Sequence, residues 1–219
     1  MAVTLVPAYS DGVPDTEYNP NLMANLVARL VLCPIALLAS WVPFRLLQKN
    51  GEFAAATMTA TNWILVLIIF INAAIWNHDD IANMWPGEGW ADFVVYTYFP
   101  LTTIYGACTC AITRRLAKQV DLSRVAGLTD KEKRNNLIVQ ILIIFPVALL
   151  QLALTPLVQE TRYFLFPITG PTGWYQQNIV YFLFYMLPTP LYTLAASFHA
   201  CMCLPTDPSL KPNRILNLR

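Results

Sequence analysis

The chain has 219 residues, of which 56% are hydrophobic and only 12% are charged, and its mean hydropathy is +0.47. This composition excludes an ordinary soluble domain and is typical of a protein that crosses a membrane several times. Because the formal net charge is only +1, the positions of the cations along the chain are more informative than their sum.

Five apolar stretches are each long enough to cross a bilayer as a helix that rises about 1.5 Å per residue. These spans are predicted at residues 22–44, 53–76, 91–113, 137–158 and 179–203. The loops after the first and third spans are rich in Lys and Arg, which is typical of cytoplasmic loops. The sequence therefore predicts an all-α membrane protein with residues 1–21 as an extracellular tail and residues 204–219 as a cytoplasmic tail.

Two predicted spans contain strongly polar side chains. Arg29 lies about 10 Å inside the outer end of the first span. Either its side chain extends to the outer interface, or it faces the bundle and pairs with an acidic group such as Asp92. In the second span, Asn62 and Asn72 are predicted to form hydrogen bonds between helices.

The first outer loop is acidic and contains one histidine, His78, followed by two aspartates, Asp79 and Asp80. Three adjacent loop residues converge poorly on one ion, so no metal site is predicted. Tryptophans at both ends of this loop are more typical of an aromatic belt at the outer membrane surface. These are Trp76, Trp85 and Trp90.

The third span has opposite charges at its two ends. Asp92 lies at its start, with no cation nearby, whereas Arg114, Arg115 and Lys118 follow its end. Cations stay on the cytoplasmic side, so the Asp92 end is predicted to face outward. One interpretation is that these three cations set the orientation of the helix in the membrane and contact anionic lipid.

No motif for catalysis, nucleotide binding or cofactor binding occurs in the chain, so it is predicted not to be an enzyme and to need no cofactor. Its five cysteines lie in the spans or at their inner ends, which predicts no extracellular disulfide. Cys201 and Cys203 fit either palmitoylation or simple packing at the inner face.

Two blocks of sequence resemble the fungal mating pheromone receptors of the lipopeptide (a-factor) type, which are class D G-protein-coupled receptors. Residues 85–118, WPGEGWADFVVYTYFPLTTIYGACTCAITRRLAK, are similar to that family's third helix, from its Trp-Cys-Asp-Ile start to its Arg-Arg-Leu end. Residues 131–175 are similar to its fourth helix and the following Val-Gln-x-x-Arg-Phe motif, which here reads VQETRY.

The chain departs from the family pattern in two places. The family has a cysteine just before the aspartate of helix three and another in the second outer loop, but Ala91 and residues 169–172 occupy these positions. The family also has seven helices, whereas five are predicted here. The resemblance implies a receptor bundle that is truncated after helix five. A truncated product, a fragment and an incomplete gene model are three explanations of the missing helices.

The resemblance implies a plasma-membrane receptor that binds a prenylated peptide pheromone and activates a heterotrimeric G protein. The residues expected to bind pheromone are Trp85, Trp90, Asp92, Gln159 and Arg162. The cations Arg114, Arg115 and Lys118 are expected to contact the G protein. Because receptors of this superfamily signal by moving helix six against helix three, the chain is expected not to signal alone. It is instead expected to associate with a second receptor chain.

A small five-helix transporter or membrane scaffold protein is the alternative interpretation. Such a protein would be expected to show repeated halves or several ionisable groups at mid-membrane. The chain has no internal repeat, and Arg29 alone lies well inside a predicted span. The receptor interpretation is therefore preferred.

Overall fold

The computed structural model describes residues 3–5, 20–78, 85–120 and 129–202. Four long helices occupy the first three quarters of the chain: α1 (Pro20–Lys49), α2 (Phe53–Ile75), α3 (Trp90–Val120) and α4 (Asp130–Val158). A short helix α5 (Ile179–Tyr181), a π-helical turn (Phe182–Met186) and α6 (Pro188–Met202) then follow one another closely. The predicted helical membrane fold is confirmed.

Some of the predicted features lie outside the described residues. They are the predicted cytoplasmic tail at residues 204–219, most of the predicted extracellular tail, Asp79, Asp80, Cys203 and the side chain of Lys118. The cysteines that are described, Cys33, Cys108, Cys110 and Cys201, carry free thiols.

Four helices of the described chain are long and apolar enough to cross a membrane: Leu22–Lys49, Phe53–Ile75, Asp130–Val158 and Ile179–Cys201. The 31-residue α3, which contains the predicted third span, is not among them. It is the central helix, because it packs against α2, α4 and α6. A helix surrounded by other helices exposes less surface to lipid and can carry more polar residues than its neighbours.

Residues 159–178, predicted as an outer loop, instead contain an antiparallel hairpin of β2 (Gln159–Phe166) and β3 (Gly170–Tyr175). The strand β1 (Val3–Leu5) pairs with β2 in parallel and completes a three-stranded sheet. In β2 the side chains of Tyr163 and Leu165 are fully buried, whereas the residues between and beside them are partly exposed. This alternation is the ordinary signature of a strand with one buried face.

The π-helical turn ends two residues before a proline, Pro188. Pro188 has no backbone N–H, so it cannot donate to the carbonyl of Phe184 four residues earlier. The fully buried Gln151 of α4 donates from Nε2 to this carbonyl at 2.6 Å. A side chain of α4 therefore satisfies a backbone group that the proline leaves without its helical partner.

Candidate functional site

Asn72, near the C-terminal end of α2, connects three elements at the outer end of the bundle. Its Nδ2 donates to the carbonyl of Thr169 at 3.0 Å, and its Oδ1 accepts from Nε1 of Trp90 at 2.9 Å. The residue is only 4% exposed, so it is held by both hydrogen bonds away from water. The hydrogen bond predicted for Asn72 between helices is confirmed, whereas Asn62 is exposed and forms none among the described residues.

Trp76 lies just after α2 and is fully buried beneath the hairpin. Its Nε1 donates to the carbonyl of Trp85 at 2.9 Å, and its own carbonyl accepts from the backbone N–H of Ile168 at 2.7 Å. The hydroxyl of Tyr163 donates to the carbonyl of Pro86 at 2.9 Å. The end of α2, the described end of the first outer loop and the hairpin therefore form one hydrogen-bonded unit.

The turn of the hairpin depends on Gly170. Its φ of +79° lies in the left-handed region, which glycine adopts without a steric penalty. A Cβ atom at this position would lie 2.8 Å from Cγ of Asn72 and 2.8 Å from Cε3 of Trp76. Both the backbone conformation and the close approach to α2 therefore require glycine.

A forked ion pair joins the start of α3 to β2. Arg162 donates from Nε to Oδ1 of Asp92 at 2.9 Å and from Nη2 to Oδ2 at 2.5 Å. Glu88 adds a second carboxylate 3.6 Å from Nη1. The hydrogen bond to Asp92 is the main factor that raises the pKa of Arg162 above its usual value, so the guanidinium remains charged.

The pairing of Arg29 with Asp92, one of the two sequence-based interpretations, is wrong, because Asp92 pairs with Arg162. Arg29 instead donates from Nε to Oδ1 of Asn25 at 2.9 Å and from Nη1 to the carbonyl of Ile168 at 3.4 Å. Arg29 therefore contacts the turn of the hairpin rather than the start of α3.

Four of the five residues expected to bind pheromone form hydrogen bonds that connect α2, α3 and the hairpin. Gln159, 5% exposed, donates from Nε2 to the carbonyl of Arg162. Trp90 bonds to Asn72, and Asp92 bonds to Arg162. Trp85 differs from these residues because its side chain is 52% exposed.

A cleft of about 670 Å³ opens between the hairpin and the outer halves of α1, α2 and α3. Its volume lies in the range of small-molecule binding sites. Most of its wall is apolar or aromatic, and the lining includes Ile68, Val95, Tyr98, Phe99, Trp174 and Tyr175. None of the five residues expected to bind pheromone lines this cleft, whereas Arg29 and Asn72 do.

Aromatic rings continue from the cleft towards α4. Phe99 meets Tyr175, Tyr181 and Tyr185 edge-on, with ring centroids 5.2 to 6.4 Å apart. The hydroxyl of Tyr185 donates to the carbonyl of Gln151 at 2.7 Å. The sequence analysis did not select these aromatic residues as candidate site residues, although they are concentrated at the outer end of α3 and after the hairpin.

At the inner end of the bundle, Nη1 of Arg115 pairs with Oε2 of Glu52. Glu52 immediately precedes α2, so the pair joins the inner ends of α2 and α3. The two side chains are 29% and 36% exposed, and a pair with this exposure contributes about 0 to 1 kcal/mol. Arg114 forms no ion pair within the described part of the chain.

Among the described residues, no group of three His, Cys, Asp or Glu side chains could hold a metal ion. The fold and the cleft define a multi-pass helical membrane protein with a binding-sized cavity at its outer end.

The family model described as Pheromone A receptor (STE3) matches residues 28–206. The chain therefore belongs to the pheromone A receptor family, which confirms the resemblance found in the sequence. This is a family of G-protein-coupled receptors and not of enzymes, and it does not support the alternative of a transporter or scaffold. No curated protein and no solved structure matches the chain.

We expect Gly170→Ala to destabilise the outer end of the bundle more than Gly89→Ala. Both glycines have positive φ, so both alanines carry a conformational cost of about 1 kcal/mol. Only at position 170 does the new Cβ collide with α2, since nothing lies within 4 Å of the corresponding point at Gly89. The collision adds about 1 to 3 kcal/mol, measured as a larger fall in melting temperature. Equal melting temperatures for the two variants would contradict the packing of the hairpin on α2.

Proposed function

We propose that the chain is a plasma-membrane receptor that binds a prenylated peptide pheromone at its outer end and contacts a heterotrimeric G protein at its inner end. Membership of the pheromone A receptor family supports a pheromone as the ligand. The apolar, aromatic cleft beneath the hairpin is the observation that supports a prenylated ligand.

A prenyl chain is suited to this cleft because it is apolar, branched and unsaturated. Burial of each carbon unit of such a chain contributes about 0.8 kcal/mol relative to water. The membrane lipid offers the prenyl chain a similar apolar environment. Burial of the prenyl chain alone therefore does not favour the receptor over the membrane. Aromatic side chains such as Tyr98 and Phe99 supply shape and ring faces that lipid lacks.

The residues expected from the sequence to bind pheromone then divide into two groups. Asp92, Arg162, Gln159 and Trp90 act on the ligand through the hairpin, because their hydrogen bonds fix its position over the cleft. Trp85 is exposed and is proposed to contact the peptide part of the pheromone directly.

At the inner end, Arg114, Arg115 and Lys118 are proposed to contact the G protein. The partly exposed pair of Arg115 with Glu52 is weak enough for an acidic group of the G protein to displace Glu52. A second receptor chain, of the same or another kind, is a further proposed partner.

We expect Tyr98→Ala to weaken the binding of a labelled prenylated pheromone from a mating partner by about tenfold. This corresponds to the loss of about 1.4 kcal/mol of aromatic contact. Tyr105→Ala is the matched control, because Tyr105 lies two turns further along α3 with similar exposure, 43% against 49%, and does not line the cleft. Equal losses in the two variants, or no saturable binding by the wild type, would contradict the proposed function.

We expect Glu52→Gln to strengthen the binding of a G protein to the purified chain roughly threefold, because it releases Arg115. Asp130→Asn is the control, since it breaks another exposed inner-side pair, to Lys133 at 3.2 Å, without affecting α3. Combining Glu52→Gln with Arg115→Gln should remove the gain. A gain that persists in this double variant would show that Arg115 is not the cation that contacts the G protein.

A further inference from the structure

Arg29 lies at the edge of an apolar cleft and has no counter-ion among the described residues. It lies in α1, well inside the helix, and its side chain lines the cleft. Its described contacts are neutral oxygens, those of Asn25 and of the carbonyl of Ile168. A charged side chain at membrane depth is costly, so such a residue normally has an anionic or strongly polar partner.

Among the described residues, no acidic group at this end of the bundle fills that role. Asp92 and Glu88 both pair with Arg162, and Glu160 forms no ion pair in the described part of the chain. A guanidinium has five N–H donors, and the described residues accept from Nε and, at a long 3.4 Å, from Nη1. Arg29 therefore keeps donors available for a further acceptor.

The hairpin turn is strained where it faces Arg29. Ile168 is 1% exposed and adopts a φ of +61°, a conformation that β-branched residues strongly avoid. Its backbone N–H is held by the carbonyl of Trp76, so the strained turn is fixed in position. Strain of this kind is concentrated at ligand sites, where it positions backbone groups.

We propose that Arg29 binds the anionic head group of a molecule whose apolar chain lies in the cleft between α2, α3 and the hairpin. The head group is a carboxylate or a phosphate, both of which a guanidinium can bind with two parallel hydrogen bonds. This inference rests on the proposed function, because the apolar part of the bound molecule is taken to be a prenyl chain. An anionic phospholipid of the outer leaflet carries the same combination of charge and apolar chain.

The test compares the wild type, Arg29→Gln and Arg29→Lys, each as the full chain in phosphatidylcholine nanodiscs. The control is Arg45→Gln, because Arg45 is on the same helix but stacks on Trp41 at 5.6 Å, away from the cleft. The probes are N-acetyl-S-farnesylcysteine, which has a free carboxylate, and its uncharged methyl ester. Thermal melting of each variant establishes that it is folded.

We expect the wild type to bind the acid more tightly than the ester. Arg29→Gln should weaken binding of the acid about tenfold and leave binding of the ester unchanged, with Arg29→Lys intermediate and Arg45→Gln like the wild type. In a second arm, phosphatidylglycerol replaces part of the phosphatidylcholine. Competition with the acid in the wild type, but not in Arg29→Gln, would identify a phospholipid as a second source of the head group.

Equal binding of the acid by the wild type and by folded Arg29→Gln, in both lipids, would overturn the inference. If Tyr98→Ala still weakened both probes in that case, the cleft would remain the proposed prenyl site and only the role of Arg29 would fail. If the wild type bound neither probe, the prenyl site and the role of Arg29 would fail together.

Discussion

The ion pair between Asp92 and Arg162 is the constraint on which the outer half of the structure depends. It joins the first turn of the central helix to a strand 70 residues further along the chain. The fork of two hydrogen bonds fixes orientation as well as distance, which a single contact between point charges would not do. Because α3 also packs against α2, α4 and α6, a strand tied to its first turn is positioned relative to the whole bundle.

Once β2 is fixed, the turn of the hairpin reaches α2. Asn72 binds the carbonyl of Thr169, and Gly170 allows the backbone to approach Asn72 and Trp76 closely. The hairpin thereby forms one wall of the cleft, and α1, α2 and α3 form the others. The ion pair holds β2 and Asn72 holds the turn, so the hairpin is attached to the bundle at two separate points.

The sequence predicted the helices well because a membrane imposes length and apolarity on each span, and both can be counted. It also proposed Asp92 and Arg162 as candidate site residues, but it did not predict their contact, because nothing local to either residue specifies a partner 70 residues away. The hairpin was missed although Tyr163 and Leu165 alternate with exposed neighbours. The cleft residues Tyr98 and Phe99 were missed because, within an apolar span, aromatic residues that bind a ligand resemble those that face lipid.

The most direct test of the central claim is a double-mutant cycle of Asp92→Ala and Arg162→Ala, with the affinity for a prenylated pheromone as the measurement. If the two side chains act as one pair that holds the hairpin, each single variant loses affinity and the double variant is within about twofold of the weaker single variant. If each side chain contacted the ligand separately, the two losses would multiply. Multiplied losses, or undiminished affinity in the double variant, would contradict the account.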